Sequence, residues 1–342
     1  MNTSSTAIQN SSSPLLQSAK ADVTMRAGVL EAPRTFKIKE VSVPEPEPGQ
    51  VLLRLEGCGV CASNLLPWKG PEWMNFPTEP GGLGHEGWGR VVAVGKGAST
   101  SLMGRRVAAL SRNSYAEYDV ADAQSVIPLP DALDDQAFPG EPLGCAMNIY
   151  RRANIRKGET VAIVGIGFLG AILTQLAVSE GANVIAISRR LFTLTLAKQF
   201  GAAAVLPMDD KDAIVEKVRD LTGGKLCDCV LEMTGHQEPL DLAAELTAER
   251  GRLVIGGYHQ DAPRQVDMQL WNWRGLDVIN AHERDPKIYV RGVNEAISAV
   301  LSGQINPAPL FTHTYPINEL NKAFQDAVDK PPNFMKALIT YG

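Results

Sequence analysis

Apolar and polar positions change their rhythm twice along this chain. From Met25 the apolar residues come in short runs: Val51-Leu52-Leu53-Arg54-Leu55, Val91-Val92-Ala93-Val94 and Arg106-Val107-Ala108-Ala109-Leu110. Proline- and glycine-rich turns separate them. Runs this short, bounded by breakers, read as strands rather than helices. Pro44, Pro46 and Pro48 exclude a helix around them, because each lacks an N–H and fixes φ. A barrel or sandwich of short strands is expected here.

Near Tyr150 the pattern becomes longer and alternates. A strand at 160–164 precedes a helical run at 167–180, and a strand at 183–187 precedes another helical run at 192–200. Further strands are expected at 203–206, 229–232, 251–255 and 276–280. Strands alternating with helices of this size imply a parallel sheet covered by helices on both faces. After Ala281 come a long helix at 288–302, a proline-rich turn, a helix from Glu319 and a last strand at 336–340. This end is expected to fold back on the first domain and make it discontinuous. The reading is α/β, with a β-rich domain at 25–147 and 284–342 and a doubly wound Rossmann domain at 148–283.

Length and composition agree with that division. A chain of 342 residues suits two domains, and 44% hydrophobic with 21% charged residues is the balance of a folded, water-soluble protein. A net charge of −5 speaks against a nucleic-acid partner. No apolar run reaches the roughly 18 to 20 residues needed to cross a membrane. Residues 1–24 are rich in Ser, Thr, Asn and Gln, lack the basic start and apolar core of a secretory signal, and are expected to form a disordered tail. The five cysteines, Cys58, Cys61, Cys145, Cys227 and Cys229, are odd in number. That points to a reducing, cytoplasmic setting where thiols are ligands or core residues. Cys227 and Cys229 alternate on a strand and read as core.

The strand at 160–164 runs into Gly165-Ile166-Gly167-Phe168-Leu169-Gly170, a G-x-G-x-x-G opening a helix. Gly165 permits the tight turn, Gly167 lets the backbone approach a pyrophosphate, and Gly170 allows close helix–strand packing. The helix start adds unpaired N–H groups and a positive dipole end. NAD-binding chains close the next strand with an acid on the adenosine ribose. This one closes it with Ser188-Arg189-Arg190. A carboxylate would repel a 2′-phosphate, whereas Ser and Arg bind it with charge-assisted hydrogen bonds. NADP(H) is therefore expected over NAD(H).

Three pieces of sequence offer metal ligands: Cys58-x-x-Cys61, the pair His85-Glu86, and Glu141-Pro142-Leu143-Gly144-Cys145. Without a second CxxC, a closed four-thiolate zinc site is excluded. In this order ahead of the glycine-rich turn, with Gly84-His85-Glu86-Gly87-Trp88-Gly89 between, the chain resembles the medium-chain dehydrogenase/reductase superfamily from Met25 to Gly342. Within it, the likeness is to the zinc-containing alcohol and polyol dehydrogenases.

The resemblance implies a GroES-like catalytic domain, a Rossmann domain, and an active site in the cleft between them. It also implies that Cys61 and His85 ligate a catalytic zinc, with Glu86 a further or neighbouring ligand. The remaining ligand is Cys145 in alcohol-dehydrogenase-like members and the glutamate of a Glu-Pro pair, here Glu141, in polyol-type members. Cys145 is preferred because thiolate suits a borderline-soft ion, and Glu141 stays as the alternate. Cys58 falls at a position that is core in the family.

Zinc with an open position acts as a Lewis acid on an alcohol or carbonyl substrate, while hydride passes to or from the nicotinamide. Ser63 matches the first proton-relay hydroxyl, so Ser63, Cys61 and His85 form the expected catalytic set. Leu66 stands where some members carry a relay histidine. Asn64 replaces a frequent aspartate, and its amide oxygen is expected to orient His85. Thr234 and Gly256 fall at strand ends beside the cofactor. Lys336 falls where relatives place a basic residue on the pyrophosphate; the plainer alternative is a solvated surface lysine.

The lobe that holds a structural zinc in many relatives is replaced by Leu110-Ser111-Arg112-Asn113-Ser114-Tyr115, without cysteine. One zinc per chain is therefore expected. Trp68, Trp73, Trp88 and Met147 are candidates for an apolar substrate pocket, or simply core. His236, His259, His282 and His313 show no ligand spacing, although His259 falls near the cleft. A homo-oligomer, dimer or tetramer, is common in the family and expected here. Two rival readings stay open: a zinc-free quinone or enoyl reductase of the same superfamily, and a catalytically idle NADP-binding protein.

Overall fold

The computed structural model describes residues 23–342, so residues 1–22 of the expected tail lie outside the described residues. β1 (Thr24–Ala32) and β2 (Thr35–Ser42) form an antiparallel hairpin. The three prolines follow in an irregular connection to β3 (Gln50–Gly59). α1 (Leu65–Lys69), β4 (Gly87–Val94), β5 (Arg106–Ala109), β6 (Tyr118–Asp122) and β7 (Val126–Pro128) complete this half. α2 (Gly140–Ala153) then runs through residue 147 and leads into the second half.

That half is built from β8 (Thr160–Val164), α3 (Phe168–Ser179), β9 (Asn183–Ser188), α4 (Leu191–Gln199), β10 (Ala204–Pro207) and α5 (Lys211–Leu221). It continues with β11 (Cys227–Glu232), α6 (Gln237–Leu246), β12 (Thr247–Ile255), α7 (Met268–Arg274) and β13 (Asp277–Asn280). α8 (Pro286–Leu301), β14 (Phe311–Pro316), α9 (Leu320–Asp329) and β15 (Lys336–Thr340) close the chain.

The first half forms a seven-stranded sheet ordered β14-β15-β3-β4-β5-β7, with β6 also pairing β3. The last two strands thus complete the sheet that the first half begins. β3 has neighbours on both edges, and most of its side chains are buried.

The second half is a six-stranded parallel sheet ordered β10-β9-β8-β11-β12-β13. β8 is its middle, with Val161, Ala162, Ile163 and Val164 fully buried, as a strand covered on both faces must be. The order reverses between β8 and β11, the point outside whose carboxyl ends such sheets form a crevice. β11 and β12 start earlier than the apolar pattern suggests. Asp228 breaks that pattern, yet its carboxylate accepts the Thr160 N–H at 2.8 Å and holds the strand in register.

One buried cluster runs from Ala108, Ile127 and Phe138 through Leu143 and Val293 into Ile163 and Leu231. The two sheets therefore share a core across α2 and α8.

Candidate active site

β3 brings the chemistry together. Its last residues, Cys58 and Gly59, pair antiparallel with Gly87 of β4 on one edge and with Ile339 and Leu338 of β15 on the other. Cys61 lies just past the end of β3, His85 and Glu86 just before β4, and Lys336 opens β15. Register thus gathers four side chains from three separate stretches of the chain.

One ligand atom each from Cys61, His85 and Glu86 falls within 4.8 Å of the others. Ser63 Oγ donates to Cys61 Sγ at 3.1 Å. His85 Nδ1 sits 3.1 Å from the Leu83 carbonyl. A carbonyl only accepts, so Nδ1 carries a proton, which leaves Nε2 as the nitrogen that can ligate a metal once its own proton is displaced. Asn64 does not orient His85 as the sequence suggested. Its Nδ2 donates to the same Leu83 carbonyl at 2.7 Å and to the Tyr115 hydroxyl at 3.1 Å. It therefore braces the acceptor rather than the ring.

Glu86 is fully buried. Its Oε1 accepts from Lys336 Nζ at 2.6 Å, and Oε2 lies 2.5 Å from the same nitrogen without a hydrogen bond. Gly59 makes the space: a Cβ there would stand 1.8 Å from Glu86 Oε2. Burial disfavours the Lys336 ammonium, but Glu86 and Cys61 outweigh it and raise its pKa. Burial likewise opposes charge on His85, and the neighbouring Cys61, Glu141 and Glu86 lift the ring to about 10. The pocket is thus rich in anionic donors, and Glu86 Oε2 meets the Lys336 ammonium without a hydrogen bond of its own. A divalent cation fits it, and thiolate, imidazole and carboxylate are a zinc donor set.

Glu141 and Cys145 lie one helical turn apart on α2, with Cys145 Sγ donating to Glu141 Oε1 at 3.2 Å. Both flank the three-residue group without joining it. Burial raises both, with mutual repulsion adding to the Cys145 shift.

Across the cleft lies the glycine-rich turn. Gly165 has φ +106° and takes the left-handed turn. A Cβ on Gly170 would meet the Gly165 carbonyl at 2.2 Å, while one on Gly167 would meet nothing within 4 Å. Gly167 therefore leaves an open cradle where a pyrophosphate needs the bare backbone. No side chain caps the start of α3, so its first N–H groups remain for an anion. Phe168 stacks on Phe311 at 5.7 Å, and Lys336 Nζ sits 5.1 Å from the Phe168 ring centre. Lys336 is buried, so the alternative of a solvated surface lysine is set aside. Leu169 packs against the shared core.

At the end of β9, Ser188 Oγ pairs with Thr193 Oγ1 at 2.8 Å, Arg189 is exposed, and the Arg190 guanidinium donates to the Phe334 carbonyl. Gly256 donates its N–H to the Glu232 carbonyl at 2.9 Å.

A buried network was not visible in the sequence. Glu232 Oε1 accepts from Thr234 N and Oγ1, each at 2.6 Å, and from Gly235 N at 3.0 Å. Its Oε2 lies 3.0 Å from His259 Nε2, and Arg264 Nε donates to His259 Nδ1 at 2.8 Å. Arg264 only donates, so His259 is neutral and gives its Nε2 proton to Glu232. The available signal was an acid closing the apolar run Cys229-Val230-Leu231. Trp68, Trp88 and Met147 are core, and Trp73 is 63% exposed. Cys58, Cys227 and Cys229 are buried.

Two family descriptions match: "Alcohol dehydrogenase GroES-like domain" over residues 47–131 and "Zinc-binding dehydrogenase" over 169–294. An alcohol dehydrogenase from Geobacillus stearothermophilus is 30% identical over 88% of this chain and 95% of its own length. A sorbitol dehydrogenase from Halalkalibacterium halodurans is 27% identical over 87% of this chain and 94% of its own. A solved zinc-binding dehydrogenase from Sinorhizobium meliloti bound to NADP superposes with a TM-score of 0.80 at 25% identity, covering 93% of this chain and all of that one.

Fold and relatives together define a medium-chain dehydrogenase/reductase. Within that superfamily the chain belongs to the zinc-type alcohol dehydrogenases, oxidoreductases of the alcohol–carbonyl couple.

Proposed function

We propose that this chain is a zinc-dependent, NADP-preferring dehydrogenase interconverting an alcohol, polyol or sugar-derived alcohol and its carbonyl. The observation that carries the reading is the convergence of Cys61, His85 and Glu86 within 4.8 Å, facing the glycine-rich turn through Lys336 and Phe168. The sorbitol dehydrogenase relative supports a polyol-type substrate.

Cys61, His85 and Cys145 would hold the zinc, with Glu86 beside it and Glu141 as the alternate to Cys145. Bound zinc would supply a Lewis acid that makes an alcohol proton labile near neutral pH and polarises a carbonyl. The chain's own residues do the rest. The Leu83 carbonyl holds a proton on His85 Nδ1 and so assigns Nε2 to the metal side, and Lys336 balances the buried Glu86 charge. Ser63, with Oγ 3.1 Å from Cys61 Sγ, receives the proton leaving the alcohol. With Leu66 following, that proton passes on through water or a ribose hydroxyl.

Gly165, Gly167, Phe168, Leu169 and Gly170 take the pyrophosphate, and Thr234 and Gly256 border the nicotinamide half. Ser188, Arg189 and Arg190 take the adenosine 2′-phosphate, where an acid would repel it. A second copy of the chain pairs along β13, the exposed edge of the parallel sheet. Trp273, 86% exposed, and Met268, 51% exposed, add apolar surface on α7, the helix that precedes β13.

Elemental analysis of purified protein, with parallel NADPH and NADH titrations, tests this reading. About one zinc per chain with tighter NADPH binding supports it. Protein that retains no zinc and reduces quinones or enones would replace it with the reductase alternative.

A further inference from the structure

We propose that Lys330, a residue of the catalytic domain, is a third cation of the adenosine 2′-phosphate site, so that this phosphate is held from both domains. The proposal rests on the NADP reading above and adds a specificity-determining residue that the Rossmann strand does not carry.

The geometry begins with Arg190. Its guanidinium crosses from the end of β9 to donate to the Phe334 carbonyl, in the turn that joins α9 to β15. This turn is held at both ends. Lys330 caps α9 in the left-handed region at φ +49°, with its N–H on the Asp326 carbonyl at 2.8 Å. Pro331 and Pro332 follow, each with a fixed φ, and Phe334 N–H returns to the Pro331 carbonyl at 3.0 Å. The position of Lys330 is therefore set relative to the Arg189-Arg190 pair by a short, rigid path.

The charges are uncompensated. Among the described residues, no carboxylate forms an ion pair with Arg189, Arg190 or Lys330. Desolvation, followed by repulsion from Arg190 and then Arg189, lowers the Lys330 ammonium below its ordinary pKa, so this exposed side chain lies within electrostatic reach of both guanidinium groups. Like charges gathered this way are unfavourable on their own and become favourable around a multiply charged anion. The strand end where NAD enzymes hold a ribose hydroxyl with an acid is the place where NADP presents such an anion. Arg190 is partly spent on Phe334, which leaves Arg189 and Lys330 as the freer donors.

The test uses calorimetric titration of the full chain with 2′,5′-ADP and with 5′-AMP, which differ only in the 2′-phosphate. Wild type is compared with Arg189→Ala, Lys330→Gln and Lys330→Glu. Loss of one charge-assisted contact predicts about ten-fold weaker 2′,5′-ADP binding for Lys330→Gln, with 5′-AMP unchanged. Lys330→Glu is expected to weaken 2′,5′-ADP further still. If Arg189→Ala loses 2′,5′-ADP while both Lys330 variants bind it like wild type, the Lys330 proposal is overturned and the NADP reading stands. Equal weakening of both nucleotides in Lys330→Gln assigns Lys330 to holding the turn and also overturns the proposal. Wild-type protein that binds 5′-AMP as tightly as 2′,5′-ADP removes the NADP reading and the proposal with it.

Discussion

Lys336 Nζ lies 2.6 Å from Glu86 Oε1, although the two residues are 250 positions apart in the chain. β3 stands between them, pairing β4 on one side and β15 on the other, and both side chains are buried. Removing one partner of such a pair leaves a charge without water or counter-ion. Lys336→Met is expected to lower stability by about 3–5 kcal/mol in denaturant unfolding, and Glu86→Gln added to it should restore much of the loss. If the double variant is no more stable than the single, the two charges are not coupled.

Gly59 follows from the same pair. A Cβ there would meet Glu86 Oε2 at 1.8 Å and Lys336 Cε at 3.1 Å. Gly59→Ala must displace the carboxylate from the Cys61–His85 group, with an overpacking cost of about 1–3 kcal/mol. Zinc content should fall together with stability. Full zinc occupancy in a stable Gly59→Ala protein would show that Glu86 can leave without consequence.

The parts legible in the sequence were those written locally. The strand into Gly165-x-Gly167-x-x-Gly170 announces its own turn, and each glycine's surroundings match the reason for it: left-handed φ, open cradle, close approach. The order of Cys61, His85-Glu86 and Cys145 carried the family likeness. What stayed hidden depends on register between distant strands. Nothing near Lys336 says that β15 will lie beside β3, and nothing near Asn64 says that Leu83 rather than His85 will be its partner. The Glu232–His259 contact needs β11 and a loop beyond β12 to meet at one end of the sheet.

Glu141 and Cys145 share one face of α2 and one hydrogen bond, so single substitutions separate their roles. Cys145→Ala is expected to lose most of its zinc by elemental analysis, because thiolate is the stronger ligand of the two. Glu141→Gln should keep zinc and change chiefly KM for polyols. The opposite pattern would make Glu141 the ligand and place this chain with the polyol-type sites.

His259 closes the network under the Thr234 turn. Without its ring, Glu232 Oε2 keeps only the longer bond from Gly235 N at 3.3 Å, and Arg264 Nε loses its acceptor. Losing one strong bond to a buried carboxylate and leaving Arg264 Nε unmatched costs about 1–3 kcal/mol. His259→Ala should therefore lose stability by that amount and exchange amide hydrogens faster in the loop from Gly256 to Arg264. Unchanged exchange there would mean that the loop is held by its other contacts, such as Arg264 Nη2 on the Gly235 carbonyl at 2.7 Å.

β13 ends the parallel sheet with one edge unpaired among the described residues, and its Val278 is 37% exposed. An unpaired edge strand presents free N–H and C=O groups, and here only Asp277 adds a charge to that edge. Antiparallel pairing with the same strand of a second copy would satisfy those groups under two-fold symmetry, and Trp273 and Met268 would be covered with them. Val278→Lys sets two like charges close together at that junction and should convert a dimer into monomer, read by light scattering during size exclusion. The fold should survive, because Val278 contributes little to the core. A variant that keeps the wild-type mass would move the interface elsewhere and leave β13 an exposed edge.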